Sequence, residues 1–185
     1  MCSSDLATRL LTHAVPLNKQ QYAAHMYHDL VGYLGKTPRP PQMTVAAADR
    51  EWAKAFYEEH GRRPDRPVVV LHPGVSKISI EKNIIKGWEP ARWVELGRRL
   101  TAAGMQVVLA GGPDDEDVIR LIRETGSFDY VEAFGKTKGL GQLAALMEQA
   151  DAIVAVDSAP MHVGVAVATP TVGIFGPTDP AMLLP

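Results

Sequence analysis

The chain has a single cysteine, Cys2, among 185 residues, which excludes an internal disulfide and a cysteine cage for a metal and fits a reducing compartment. It has no excess of charge of either sign: 19 Lys and Arg stand against 21 Asp and Glu, a formal net charge of -2. No global field therefore draws it to nucleic acid or to an anionic membrane, and any phosphate has to be bound locally. No apolar run approaches the ~20 residues of a membrane span, and the N-terminus lacks the basic-then-apolar profile of a signal peptide. These absences predict a cytoplasmic protein. Internal repeats and low-complexity tracts are missing too. So are a Gly-x-Gly-x-x-Gly and a Walker lysine loop, and the ordinary dinucleotide and P-loop readings lack their mechanical parts.

What is present is a globular composition, 46% hydrophobic and 22% charged, at a length that allows one full domain and an appendage. From residue 67 onward, apolar runs alternate with amphipathic ones. The pattern predicts strands over 68–72, 105–110, 130–134, 152–156 and 171–175, and helices over 91–103, 114–125, 140–150 and 161–168. The strand runs are apolar throughout, as parallel strands buried on both faces require. The fold class is therefore α/β, a Rossmann-like parallel sheet with flanking helices. Residues 1–66 differ: 20–34 and 45–60 are helical in period, separated by three prolines within 37–41. They predict a helical arm, with the Rossmann-like domain occupying 67–185.

The most informative stretch is Asp157-Ser158-Ala159-Pro160-Met161-His162, a polar turn between an apolar strand and an apolar helix. Such turns lie at the carboxyl ends of strands, where open α/β sheets bind ligands. The first N–H groups of the following helix attract anions. Ser158 and Ala159 are small enough to admit a phosphate. Asp157 flanks that seat as an acceptor of hydroxyl protons, and His162 as a donor that can carry charge near neutral pH. Capping of the helix by Asp157 and Ser158 explains the same residues. A second rigid turn, Gly176-Pro177-Thr178-Asp179-Pro180, leaves the same sheet edge and favours the ligand reading. A Ser158-His162-Asp157 triad is disfavoured because all three sit within one helical turn, without a nucleophile elbow.

Other turns on that edge carry chemistry. His72-Pro73-Gly74-Val75-Ser76-Lys77 follows the first strand: Gly74 permits close backbone approach, while Ser76 and Lys77 offer a hydroxyl and a cation. Lys86, fourteen residues after His72, is placed to act as a point charge on phosphate, although lysines in loops are commonly just solvated. Gly111-Gly112-Pro113-Asp114-Asp115-Glu116-Asp117 follows the second strand. Most of its acids suit a helix N-terminus, and Asp115 is assigned to hold a ribose diol. Adjacent carboxylates at a helix start diverge, so a divalent-metal site is disfavoured.

Taken in order, His72-Pro73-Gly74, Lys86-x-Trp88, Gly111-Gly112-Pro113, Asp157-Ser158-Ala159-x-x-His162 and Phe175-Gly176-Pro177-Thr178-Asp179-Pro180 resemble glycosyltransferase family 9, the lipopolysaccharide heptosyltransferases and their relatives. The resemblance implies a GT-B fold of two Rossmann-like domains, of which this chain is the C-terminal, donor-binding one. It implies that Asp157 contacts the donor sugar and that the backbone of Ser158 and Ala159 receives the diphosphate. Gly74 and Ser76 would line the donor pocket, and His162 and Lys86 would add a donor and a charge to the phosphates. Asp115 matches a ribose-binding acid, usually glutamate in the family, and Thr137, Lys138 and Leu140 flank the adenine. The family transfers with inversion and without a metal or other cofactor, so the protein stabilises the departing diphosphate.

The donor expected is a nucleotide sugar such as ADP-heptose, and the acceptor a lipopolysaccharide core or similar glycan. Peripheral contact with the inner face of the cytoplasmic membrane would come through the full-length enzyme. The family's acceptor pocket and general base lie in an N-terminal domain that this sequence does not supply, and the family continues beyond Pro185. The expectation is thus a fragment that binds a nucleotide sugar weakly and does not transfer it efficiently. A nucleotide-binding module without transferase activity, and a GT-B enzyme using a UDP-sugar, are the alternatives.

Overall fold

The computed structural model describes residues 11, 13–36 and 39–184; Cys2, Thr37 and Pro38 lie outside them. In chain order the elements are α1 (Ala23–Gly32), α2 (Ala47–Glu59), β1 (Val68–His72), α3 (Lys77–Glu81), α4 (Pro90–Ala102), β2 (Gln106–Leu109), α5 (Glu116–Thr125), β3 (Val131–Glu132), α6 (Leu140–Glu148), β4 (Ala152–Val156), α7 (Ala159–Ala166) and β5 (Thr171–Ile174). Single 3-10 turns cover Pro113–Asp115 and Pro180–Met182. The expected strands and helices are all present. The one element periodicity did not anticipate is α3, whose five residues are too few to show a period.

All strands pair in parallel, in the order β3-β2-β1-β4-β5. Alternation along each strand divides the core into two layers. Val69, Leu71, Val107, Leu109, Val154 and Val156 face Trp93 and Val94 of α4 and Ile119 and Ile122 of α5. Pro90 opens α4, where its missing N–H costs nothing. Gly97 is required because a Cβ there would overlap the Phe128 ring. On the other face Val68, Val70 and Ile153 are fully buried, and α6, whose Leu143, Ala144, Ala145, Leu146 and Met147 are all buried, packs against both α7 and α2. A helix apolar over so much of its circumference has to be covered on more than one side. Each fully buried Val, Leu or Ile stabilises the fold by about 1.5–3 kcal/mol relative to exposure.

That requirement moves the domain boundary. The compact unit runs Pro41–Pro180, so α2 belongs to the Rossmann-like domain and not to an arm ending at residue 66. Tyr57, buried on α2, donates its hydroxyl to the Leu146 carbonyl at 2.8 Å, and Arg50 makes a two-pronged bond to Glu148 at 2.6 and 2.7 Å. The helical period of 45–60 was legible; the surface it covers was not. The other unit falls within Met1–Pro40 and Ala181–Pro185. In it α1 buries no residue, and Gln21 donates to the Asp29 carboxylate at 2.6 Å. Among the described residues no helix is long and apolar enough to cross a membrane.

The strand order positions the site. After β1 the chain turns outward to β2 and β3, and it returns to place β4 on the opposite side of β1. The connections diverge between β1 and β4, and the crevice at the carboxyl ends of such a pair is where this architecture binds ligands.

Candidate functional site

At the end of β4, the Asp157 N–H bonds the Ile174 carbonyl of β5 at 3.0 Å, which holds the backbone in line while the carboxylate enters the turn. That carboxylate is 3% exposed, and Lys86 Nζ lies 2.9 Å from its Oδ2. Thr178 Oγ1, from the turn after β5, donates to the same oxygen at 2.9 Å. Three loops from separate parts of the sequence therefore meet on one atom. Their approach depends on Gly176, because a Cβ there would overlap the Ile85 carbonyl beside Lys86. Oδ1 of Asp157 receives no donor from the described residues.

The helix start is left open. Neither Asp157 nor Ser158 caps α7 through its side chain, and Ser158 Oγ turns back to the Val156 carbonyl at 3.3 Å. A capping role would have closed the first turn, whereas here its N–H groups lack a side-chain acceptor. Ala159 is exposed, and His162, three residues further along the helix, is half-buried without a polar partner among the described residues. The arrangement presents a cation, an open helix N-terminus and an imidazole on one turn, and together these attract an anion.

The β1 and β2 side is built differently, and three candidate residues there make their contacts within the protein. Asp115 is sealed, 7% exposed; its Oδ2 accepts the Gly112 N–H at 2.7 Å and lies 3.8 Å from Nε2 of buried His72. A carboxylate so enclosed braces its own turn. Gly74 is glycine because a Cβ would fall inside the Asp115 carboxylate, so its space belongs to the protein and not to a ligand. Ser76 caps α3, its Oγ accepting the Ser79 N–H at 3.3 Å. Burial lowers the His72 pKa from its ordinary 6.5 more strongly than the Asp115 charge raises it, and its Nδ1 has no partner.

Asp114 of that turn reaches the surface, as do Glu116 and Asp117, and pairs with Lys77 at 2.8 Å. A cleft of about 190 Å³ opens there, lined by Val75, Lys77, Ile80 and Asp114 among others, with none of Lys86, Asp157, Ser158, Ala159 or His162 on its walls. Lys77 is raised above its ordinary pKa, chiefly by the hydrogen bond to Asp114. In the loop after β3, Thr137 is half-buried, Lys138 is exposed with its N–H on Gln142 Oε1 at 2.8 Å, and Leu140 is 55% exposed. The strand this loop leaves, β3, stands three strand spacings from β4, about 14 Å.

The family model for "Glycosyltransferase family 9 (heptosyltransferase)" matches residues 3–185. The chain belongs to glycosyltransferase family 9. As a member of the family it is 29% identical over 170 residues to lipopolysaccharide heptosyltransferase 3 of Escherichia coli, an alignment covering 91% of this chain and 48% of that protein. Its fold matches the crystal structure of the family 9 glycosyltransferase from Veillonella parvula DSM 2008 with a TM-score of 0.81 and 27% identity, covering 96% of this chain and 50% of that one. The E. coli heptosyltransferase WaaC with ADP is similar at a TM-score of 0.65 and 25% identity, covering 96% and 52%. The chain thus spans about half the length of the curated relatives it matches. Within this family 9 chain, Lys86 and Asp157 are the predicted site residues that the structure brings into direct contact. Thr178 was not predicted: its motif is legible as a rigid turn, but the partner of its hydroxyl lies 21 residues away.

Proposed function

We propose that this chain is the donor-binding part of a heptosyltransferase that moves a heptose from a nucleotide diphosphate sugar, ADP-heptose by preference, to a lipopolysaccharide core or similar glycan. The observation that carries the reading is the Lys86–Asp157 contact at the uncapped start of α7, in a member of this family. Similarity to a heptosyltransferase described with ADP supports an adenine nucleotide. Acceptor glycosylation is placed at the cytoplasmic face of the membrane.

In this reading the diphosphate docks on the first N–H groups of α7, and Lys86 exchanges Asp157 for the phosphate oxygens. Asp157 then offers its Oδ1, which receives no donor from the described residues, as the acceptor for a sugar hydroxyl. His162 adds a second donor. Thr137, Lys138 and Leu140 flank the base, with exposed Asp114 as a carboxylate available to the ribose. As the acceptor hydroxyl attacks the anomeric carbon, the bond to the diphosphate breaks on the opposite face and inverts that centre. The negative charge gathering on the leaving oxygen is met by the ammonium and the helix start, fixed before the reaction begins. No residue of this chain is assigned as the proton acceptor.

The test is a titration of the chain with ADP, ADP-heptose and UDP-glucose, followed by calorimetry and by thermal unfolding. ADP and ADP-heptose should raise the melting temperature through mass action. Stabilisation by the uridine ligand alone would transfer the assignment to a UDP-sugar enzyme. Indifference to all three would leave no support for a donor site.

A further inference from the structure

The turn after β5 does more than end the sheet. Gly176 accommodates the Ile85 carbonyl, with Lys86 Cα 3.8 Å from where a Cβ would stand. Two residues on, Thr178 Oγ1 reaches Asp157 Oδ2 at 2.9 Å. Lys86 Nζ takes that same oxygen at 2.9 Å. One short turn therefore lies against the backbone that carries Lys86 and bonds the carboxylate through a hydroxyl. A carboxylate has two oxygens and can rotate; here both donors converge on Oδ2, and Oδ1 receives none. When Lys86 departs for a phosphate, the threonine remains as the bond that holds the carboxylate in that rotation.

We propose, building on the donor-site reading above, that Thr178 is a positioning residue for the sugar end of the donor. It pins Oδ2 of Asp157, so that Oδ1 stays aimed at a sugar hydroxyl. Gly176 is the complementary device on the phosphate side, setting the path of the Ile85–Lys86 backbone and hence the reach of the ammonium. The two residues of one turn thus serve the two ends of the scissile bond. Neither touches the reacting atoms.

The test compares ADP with ADP-heptose, which share the phosphates but not the sugar, on the full chain and three variants. Thr178→Val keeps the shape and removes the hydroxyl; it should weaken ADP-heptose about tenfold, the effect of one hydrogen bond to a charged group, and ADP less than about twofold. Thr178→Ser restores the donor and should return ADP-heptose affinity to within about twofold of wild type. Gly176→Ala, an exposed position, should weaken both ligands alike, several-fold, because it displaces the lysine that both use. A merely structural threonine would lower both affinities together when replaced by valine, with no split between ligands, and that result overturns the proposal while leaving the donor site standing. Should Thr178→Val fail to fold, failure of Thr178→Ser to discriminate as wild type does overturns it equally. Absence of binding by wild type overturns the donor-site reading and this proposal with it.

Discussion

Two corners of one sheet edge, built from similar residue types, have opposite characters. At the ends of β1 and β2, a histidine, an aspartate and glycines close on one another: Asp115 holds the Gly112 N–H, lies against His72 and fills the space above Gly74. At the ends of β4 and β5, an aspartate, a lysine and a threonine also meet, but the adjoining helix start is uncapped and one carboxylate oxygen lacks a donor. The first corner directs its carboxylate onto the protein's own backbone. The second leaves a helix start without a side-chain cap and one carboxylate oxygen without a donor, groups that a ligand can partner. A carboxylate bonded to a fixed backbone N–H is structural; one bonded to the end of a flexible lysine can change partners.

That contrast predicts different phenotypes. The largest effect is expected from Gly74→Ala, which forces a methyl into the Asp115 carboxylate; urea denaturation should show a loss of about 3 kcal/mol or more. A loss under about 1 kcal/mol would show that the corner yields easily. Asp115→Ala should cost about 2–3 kcal/mol by orphaning the Gly112 N–H, yet the folded protein should bind ADP as wild type does. Weakened ADP binding there would return Asp115 to the site.

Lys86→Met should weaken ADP at least about tenfold in calorimetry. Unchanged affinity would make Lys86 a structural partner of Asp157 only. The smallest effect concerns acid. His72 is held neutral in the fold by burial, below its ordinary 6.5, so between that value and its folded pKa the unfolded chain takes up a proton that the native protein refuses. Stability should therefore fall as pH drops below about 6.5, by at most about 1.4 kcal/mol per unit for this group. His72→Asn should flatten that slope in a series of melts, and an unaltered slope would place its source elsewhere.

Much of this was readable in advance, for reasons that can be named. Strands β1 and β4 fall on their expected residues because runs such as Val68 to Leu71 are apolar at every position, which only a doubly covered parallel strand tolerates. Lys86 and Asp157 were legible as candidates because each sits where a strand delivers a turn or a helix begins, and the structure brings the two together. The contacts of Asp115 and Ser76 were not legible because an acid or a serine at a helix start has the same local appearance whether it caps or binds. The choice between those roles depends on what stands across the gap, and for Asp115 that is His72, 3.8 Å away but distant in sequence.

Sequence alone determined the α/β alternation, the elements and the loops that carry polar chemistry, since periodicity and turn propensity are local properties of a few consecutive residues. Only the tertiary structure decided that α2 completes the core, that the strand order diverges between β1 and β4, and which aspartate is sealed and which meets a cation. Those outcomes rest on contacts between residues far apart in the chain, where burial and hydrogen-bond partners are set by packing.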